Sequence, residues 1–357
     1  MHSRFAAWSM FAFLTLAPAA QEPAPAPAPK AAELTLQSLA ARRDLWPSSV
    51  APRKDVRLNG APPVKAGQVL RLHELTGTTV VLDSGEFLFD LPAADTDVLE
   101  RARALLAALT PAQLALTAAE LPARPELWPL RLKLTADIGL ENGAFIPAGG
   151  DVSLRGIEGG MLSIYDRGTQ AFFPVDPYET DIVPRARAAL AAAPQEPFFV
   201  RALEAALTGD EAGAAAAQPL AGADFLLVYG GRKGCSRCAE FLPALQDFYA
   251  RDKAHAGFEV LFLSQDATAE DARAYAAEAK PPGRIIPFER RVEAAHVATI
   301  PGQLLPAVYL FDRSGNLLLR NHPNGGSPSA RDVLADLEQR LAERRSATEQ
   351  GRKDAAK

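Results

Sequence analysis

The chain has 357 residues, with 43 Asp and Glu against 38 Lys and Arg, a formal net charge of −5 and a pI near 5.7. That balance gives no reason to expect a nucleic-acid ligand, whose phosphates demand a basic surface. The length beyond a short leader, roughly 330 residues, predicts two or three domains.

Residues 1–20 carry Arg4, an apolar run from Phe5 to Leu16, and then Ala17-Pro-Ala-Ala20. A basic start, a short apolar stretch and a small-residue cleavage site read as a cleavable secretory signal, so a secreted or periplasmic location is expected. The apolar run is too short to span a bilayer, and no other run reaches membrane length, so the mature chain is expected to be soluble with no membrane span. No cysteine follows the run to carry a lipid anchor. Residues 21–33 form an Ala/Pro-rich linker that favours extended polyproline geometry.

The next part of the chain repeats itself. Leu39-Ala-Ala-Arg-Arg-Asp-Leu-Trp46-Pro47 recurs 82 residues later as Leu121-Pro-Ala-Arg-Pro-Glu-Leu-Trp128-Pro129. Asn59-Gly60-Ala61 and Asp83-Ser-Gly85 return as Asn142-Gly143-Ala144 and Asp166-Arg-Gly168, at an offset of 83. Asp95-Thr-Asp-Val-Leu-Glu-Arg-Ala-Arg-Ala104 returns as Glu179-Thr-Asp-Ile-Val-Pro-Arg-Ala-Arg-Ala188, at 84. This is the pattern of a tandem duplication, with copies over 34–118 and 119–208. In each copy, strands are expected near 68–75 (151–157), 79–83 (161–165) and 86–91 (169–175). Glycine supplies the positive φ of the hairpin turn between the last two. Thr96 or Asp97, and Thr180 or Asp181, then cap a helix whose Arg-Ala-Arg faces solvent, and Pro184 falls in the first turn of the second helix. Each copy thus reads as a small all-β unit closed by one helix, a barrel of SH3-like size. Trp46 and Trp128 either plug their own barrels or form an aromatic groove for an extended peptide ligand. The first of these is the favoured reading.

Residues 209–222, rich in Ala and Gly, read as a flexible linker before a domain at 223–345. Phe225 to Tyr229 is a buried strand, Gly230 to Gly234 a loop, and a helix begins near Cys235. The chain's only two cysteines sit here as Cys235-Ser-Arg-Cys238. A helix N-terminus favours thiolate over thiol, and a cysteine two residues further on can resolve a mixed disulfide on the first. The leading expectation is a dithiol–disulfide redox centre. Zinc needs three or four protein ligands, and His2, His73, His255, His296 and His322 show no ligand spacing, so neither metal nor other cofactor is expected. Metal handling by the two thiolates and an inert disulfide remain alternatives. Strands follow at Phe258–Ser264, Ala307–Phe311 and Leu317–Arg320. Helices follow at Thr268–Ala279, capped by Thr268, and at Arg290–Ala298. A final helix, capped by Ser327 or Ser329, is expected to end near Arg345, with a disordered charged tail over 346–357. The order argues α/β with a mixed sheet.

Residues 223–345 resemble a thioredoxin-fold domain, nearest the tryparedoxin and nucleoredoxin branch. The resemblance is carried by Cys235-Ser-Arg-Cys238, Pro243, the run Phe258 to Asp266, Ile286-Pro-Phe288 and Leu305-Pro306. It implies Cys235 as the attacking thiol, Cys238 as the resolving thiol and Pro306 as a cis-proline facing them. Ile300-Pro301 competes for that last role but lies away from the strand start. Protein thiols or disulfides and an upstream redox partner would be the partners. Gly234 stands where the family carries tryptophan before the first cysteine, and Tyr229 stands at the position of a buried acid. Arg232, Lys233 and Arg237 around the sulfurs predict a depressed Cys235 pKa. The whole chain therefore reads as an exported thiol–disulfide oxidoreductase with N-terminal repeats that position it or select a partner. The alternative is a non-enzymatic scaffold that uses the repeats, with the thioredoxin fold as a docking module.

Overall fold

A computed structural model of the chain describes residues 34–58, 62–140, 143, 145–192, 196–208, 220, 222–253, 257–298, 300, 305–322 and 326–355. The expected leader, the Ala/Pro tract, the turn residues 59–61, 142 and 144, most of the 209–222 linker and Pro301 lie outside the described residues. Among the described residues, no helix is long and apolar enough to cross a membrane.

The first β-rich unit opens with α1 (Leu36–Ala40), capped by Thr35, which accepts the Ser38 N–H at 3.2 Å. Strands β1 (Ser49–Val50), β2 (Leu70–Thr76), β3 (Thr79–Asp83) and β4 (Leu88–Pro92) pair antiparallel in that order, and α2 (Val98–Ala108) and α3 (Pro111–Ala115) follow. Alternation along the strands turns Val80, Leu82, Phe89 and Leu91 inward onto Leu39, Leu45 and the buried stripe Val98, Ala102 and Leu106 of α2. In the second unit, β5 (Arg131–Lys133), β6 (Ile138–Gly139), β7 (Phe145–Ile146), β8 (Asp151–Glu158), β9 (Met161–Asp166) and β10 (Ala171–Val175) precede α4 (Ile182–Leu190). Its main sheet has the order β10-β9-β8-β5.

The pairing pattern of the first unit occurs again in the second. The register shift between Leu72 and Glu74 reappears between Leu154 and Gly156, and the bridge Val56–Val64 reappears as the β6–β7 pair Ile138–Ile146. In both units the chain beyond the last strand returns to the first, through the bridges Pro52–Thr96 and Leu134–Thr180.

Thr96 and Thr180 accept the Val98 and Ile182 N–H groups at the helix starts, at 3.4 and 3.3 Å. The neighbouring Asp97 and Asp181 instead clamp the helix to the first strand, accepting the Ala51 and Lys133 N–H groups at 2.7 and 2.8 Å. Two expectations are corrected. Gly85 has φ +88°, but in the second hairpin the positive φ falls on Gln170, at 55°, because Asp166 accepts the N–H and hydroxyl of Thr169 and moves the turn along. The Arg-Ala-Arg face is not simply solvated either: Arg187 is buried and reaches Asp44 of the first unit.

α5 (Phe198–Thr208), which the sequence groups with the second unit, is shared. Phe198 and Ala202 pack into that unit, while Phe199, Val200, Leu203 and Ala206 pack into the C-terminal domain beside Leu220 and Ala223. A helix buried on two sides is apolar nearly all round, so no single stripe reports its allegiance.

The C-terminal sheet has the order β13-β12-β11-β14-β15. β11 (Phe225–Gly231), β12 (Phe258–Ser264) and β13 (Arg284–Ile285) run parallel, β14 (Ala307–Asp312) pairs antiparallel with β11, and β15 (Leu317–Arg320) pairs antiparallel with β14. One face carries α5 and α8 (Arg291–Val297). The other carries α6 (Ser236–Asp252), α7 (Ala269–Ala279) and α9 (Ala330–Ala355). Strands covered on both faces explain the continuous apolar runs. α9 continues through Ala355, where a disordered tail from residue 346 was expected. Its last turns mix strong helix formers (Ala347, Glu349, Gln350, Arg352, Lys353) with Ser346, Thr348 and Gly351; the Ser346 and Thr348 hydroxyls donate back to the Ala342 and Arg344 carbonyls, and Gln350 reaches Asp354 one turn on.

Candidate active site

The site lies at the C-terminal end of β11. A Cβ on Gly230 would stand 3.0 Å from the Ala307 Cβ, and one on Gly231 would stand 2.8 Å from the Tyr229 hydroxyl, so close packing against β14 and Tyr229 calls for glycine here. The loop then turns through Gly234, at φ +74°, into α6. Cys235 is the N-cap of that helix, and its Sγ accepts the Cys238 N–H at 3.1 Å. The two cysteines are joined as a disulfide; Cys235 is half-buried and Cys238 fully buried. An attacking thiol would therefore have to approach the Cys235 sulfur.

The loop is tied to the end of β12. Gln265 donates its N–H to the Gly231 carbonyl at 2.9 Å, and Lys233 donates its N–H to Asp266 at 3.0 Å. The Ser264 hydroxyl donates to Asp266 and accepts the Asp266 N–H, which holds that buried carboxylate in place. Of the three cations expected around the sulfurs, Lys233 is diverted. Its ammonium pairs with Asp271 at 3.1 Å, which raises the Lys233 pKa and lowers that of Asp271. Arg232 and Arg237 are exposed and form no ion pair among the described residues.

Tyr229 is fully buried, with its hydroxyl 3.1 Å from that of Tyr275 and its ring against Phe241 of the cysteine helix. Burial, and then the Tyr275 contact, push its pKa far above the usual phenol value, so this position stays neutral. The Leu305–Pro306 peptide is cis. Pro306 lines a cavity of about 250 Å³ with Arg237, Phe241, His322 and Arg331, so it and the cysteine helix share one opening. Asn321 fixes this stretch, donating to the Pro306 carbonyl at 2.9 Å and accepting the Val308 N–H at 2.7 Å. Asn321 belongs to no motif in the sequence, and the reach of Asp266 to the loop is not legible from spacing. Among the described residues, no cluster of His, Cys, Asp and Glu could hold a metal ion.

The tryptophans of the β-rich units pack on their own cores. Trp46 Nε1 donates to the Leu39 carbonyl at 2.8 Å, and Trp128 Nε1 donates to the Leu121 carbonyl at 2.6 Å. They share no groove: Trp46 lines a cleft of about 790 Å³ between the units, with Arg43 between its ring and that of Tyr178, whereas Trp128 packs on Phe198.

Residues 222–317 match a family model described as thioredoxin-like, and the C-terminal domain is thioredoxin-like. Among solved structures, tryparedoxin I from Crithidia fasciculata is 24% identical, covering 33% of this chain and 75% of its own, with a TM-score of 0.27. Tryparedoxin II from C. fasciculata is 29% identical over 33% of this chain and 71% of its own, also at 0.27. A thioredoxin from Wuchereria bancrofti is 23% identical over 34% and 84%, again at 0.27. No curated protein matches the chain.

Proposed function

We propose that this chain is an exported thiol–disulfide oxidoreductase in which Cys235 attacks, Cys238 resolves and Pro306 borders the docking site. The observation that carries the reading is the asymmetry of the pair. The half-exposed Cys235 sulfur accepts a backbone N–H at a helix N-cap, while Cys238 is buried behind it.

In the reduced protein the Cys235 thiolate attacks one sulfur of a substrate disulfide. The new S–S bond forms as the substrate's other sulfur leaves as a thiolate and takes a proton from solvent. Cys238, losing its proton, then attacks the Cys235 sulfur, breaks the mixed disulfide and releases the second substrate thiolate. The substrate gains two electrons and the Cys235–Cys238 disulfide holds the loss; a dithiol partner reverses the path to regenerate the enzyme. The helix terminus, the Cys238 N–H, Arg232 and Arg237 all favour the thiolate, so the Cys235 pKa should lie below that of a free thiol. Each unit of depression is about 1.4 kcal/mol, or about 30 mV for this two-electron couple, and shifts it from the thioredoxin-like end (about −270 mV) toward the oxidising end (about −120 mV).

The recurring pairing pattern supports reading the two β-rich units as copies of one SH3-like barrel plus helix, which position the redox domain or hold an extended peptide of the partner. Residues 1–20 support export through a cleaved leader. The test is trapping. Cys238→Ser should accumulate a mixed disulfide on Cys235 that mass spectrometry detects, and Cys235→Ser should lose turnover by more than about a thousandfold. A Cys238→Ser protein that captures nothing, together with a wild-type pair that cannot be reduced reversibly in glutathione buffers, would end this reading.

A further inference from the structure

A groove of about 690 Å³ opens where the second β-rich unit meets the thioredoxin-like domain. Its apolar floor includes Phe172 from β10, Val292 from α8 and Ile300. Three arginines face it: Arg155, Arg291 and Arg320, against one lining carboxylate, Glu158. Arg155 is already answered by the buried Glu293, at 2.8 Å. The other two are not. Arg291 lies over the Phe288 ring at 3.5 Å and donates to the Phe288 carbonyl; it has no ion pair among the described residues, and the neighbouring Glu289 acts on its charge only from a distance. Arg320 is exposed at the end of the edge strand β15 and has no ion pair among the described residues. A positive groove on a chain of net charge −5 selects against the chain's own average and for an anionic guest.

The groove also approaches the redox site from the side of Gln265. Gln265 lines it, and the Gln265 N–H is bonded to the carbonyl of Gly231, four residues before Cys235. Four residues of chain span at most about 14 Å, so a segment held in the groove would lie only a few residues from the sulfur being attacked. The wall is firm, because Glu293 of α8 binds Arg155 and Arg167 of the second unit together with Arg290.

We propose that this groove receives an acidic extended segment of the protein substrate, a few residues from the reacting cysteine, with its carboxylates paired to Arg291 and Arg320 and its apolar side chains on Phe172 and Val292. The β-rich unit thereby selects the substrate of the neighbouring domain. The proposal rests on the oxidoreductase reading for its consequence, though not for the binding itself.

Two measurements on the full chain separate them. In the first, a fluorescein-labelled, cysteine-free peptide rich in Asp and Glu is titrated and followed by anisotropy. Wild type should bind it, with affinity falling as salt rises, and R291E/R320E should weaken binding at least tenfold, with R320E alone accounting for part of the loss. In the second, two disulfide peptides that differ only in acidic or lysine flanks are compared. The acidic one should be reduced about tenfold faster at low salt, and the preference should invert in R291E/R320E, while reduction of a small aromatic disulfide stays unchanged. Failure of the acidic peptide to bind, or equal rates on both flanks, with the small disulfide still reduced, overturns the groove and spares the redox centre. Salt-sensitive binding lost in R291E/R320E, without reduction of any disulfide, upholds the groove and overturns the redox reading.

Discussion

The two junctions of the molecule each bury an ion pair, but they place its charges the other way round. Between the β-rich units the later partner sends in a cation. Arg187 reaches Asp44 at 2.5 Å, and it also donates to the carbonyls of Asp44, Gln113 and Leu116. Between the second unit and the thioredoxin-like domain the later partner sends in an anion, Glu293, which faces Arg155, Arg167 and Arg290. At the first junction Asp44 holds Arg42 as well as Arg187, and much of the Arg187 charge also meets neutral backbone acceptors. At the second, one carboxylate holds three guanidinium groups together. Buried pairs contribute little net stability but are costly to break from one side, and the cost depends on what remains to receive the orphaned charge.

The sharpest way to break that comparison is to remove the carboxylates one at a time. Glu293→Ala removes the carboxylate that Arg155, Arg167 and Arg290 share, leaving Arg155 over the Tyr165 ring beside two like charges, and should cost about 5 kcal/mol, near the top of the range for a one-sided loss. Calorimetry should also show the thioredoxin-like domain melting apart from the units before it. Asp44→Ala leaves Arg187 its carbonyl partners and the half-exposed Arg42 within reach of solvent, and should cost about 3 kcal/mol. Urea denaturation of both variants gives the order, and a larger loss for Asp44→Ala would reverse the argument. Adding Arg155→Met to Glu293→Ala should recover part of the stability, because the most deeply buried of the three cations is gone.

A smaller effect sharpens the comparison between the units themselves. Trp46 and Trp128 occupy matching positions and make matching indole hydrogen bonds. Only Trp128 also packs on Phe198 of the shared helix, with ring centroids 5.2 Å apart. Truncating either to alanine should cost about 3–5 kcal/mol, with Trp128→Ala exceeding Trp46→Ala by about 1 kcal/mol for the extra aromatic pair. Equal losses in a chemical denaturation series would mean that the Phe198 contact adds nothing.

The sequence reads well where one local rule decides. The apolar run Phe258–Ser264 is a strand over those same residues, Thr268 caps α7 through the Asp271 N–H, and Cys235 stands at the start of α6. It reads poorly where a residue's role is set by a neighbour far along the chain. Arg103 and Arg187 close matching Arg-Ala-Arg runs in α2 and α4, yet one meets the Leu34 carbonyl and the other crosses into the adjacent unit, because α4 has the first unit beside it. In the candidate site the cysteines announce themselves by spacing, whereas Asn321 acts through contacts 13 and 15 residues away and leaves no periodic trace. The short strands β1, β5, β6 and β7 escaped for a related reason: two or three residues carry too little alternation to register.

The second junction should also be the one that responds to mild acid. His296 of α8 stacks on Phe172 at 4.1 Å, and its Nε2 lies 3.0 Å from the Ser163 hydroxyl, both residues belonging to the second unit. Burial, and then Arg155, lower its pKa below the ordinary 6.5, with Glu158 opposing. The folded state therefore binds this proton less readily than the unfolded chain. Stability from the neutral ring is fully present above the unfolded pKa and is lost as pH falls from there through the folded value. Denaturation midpoints for wild type should thus decline as pH is lowered from about 7 to about 5. His296→Gln, which keeps a hydrogen-bonding partner for Ser163 but does not titrate, should show a shallower decline. The first junction has no histidine in its buried pair, so Asp44→Ala should keep the wild-type slope. A His296→Gln profile parallel to wild type would place the acid sensitivity elsewhere and leave the two junctions distinguished by their arginines alone.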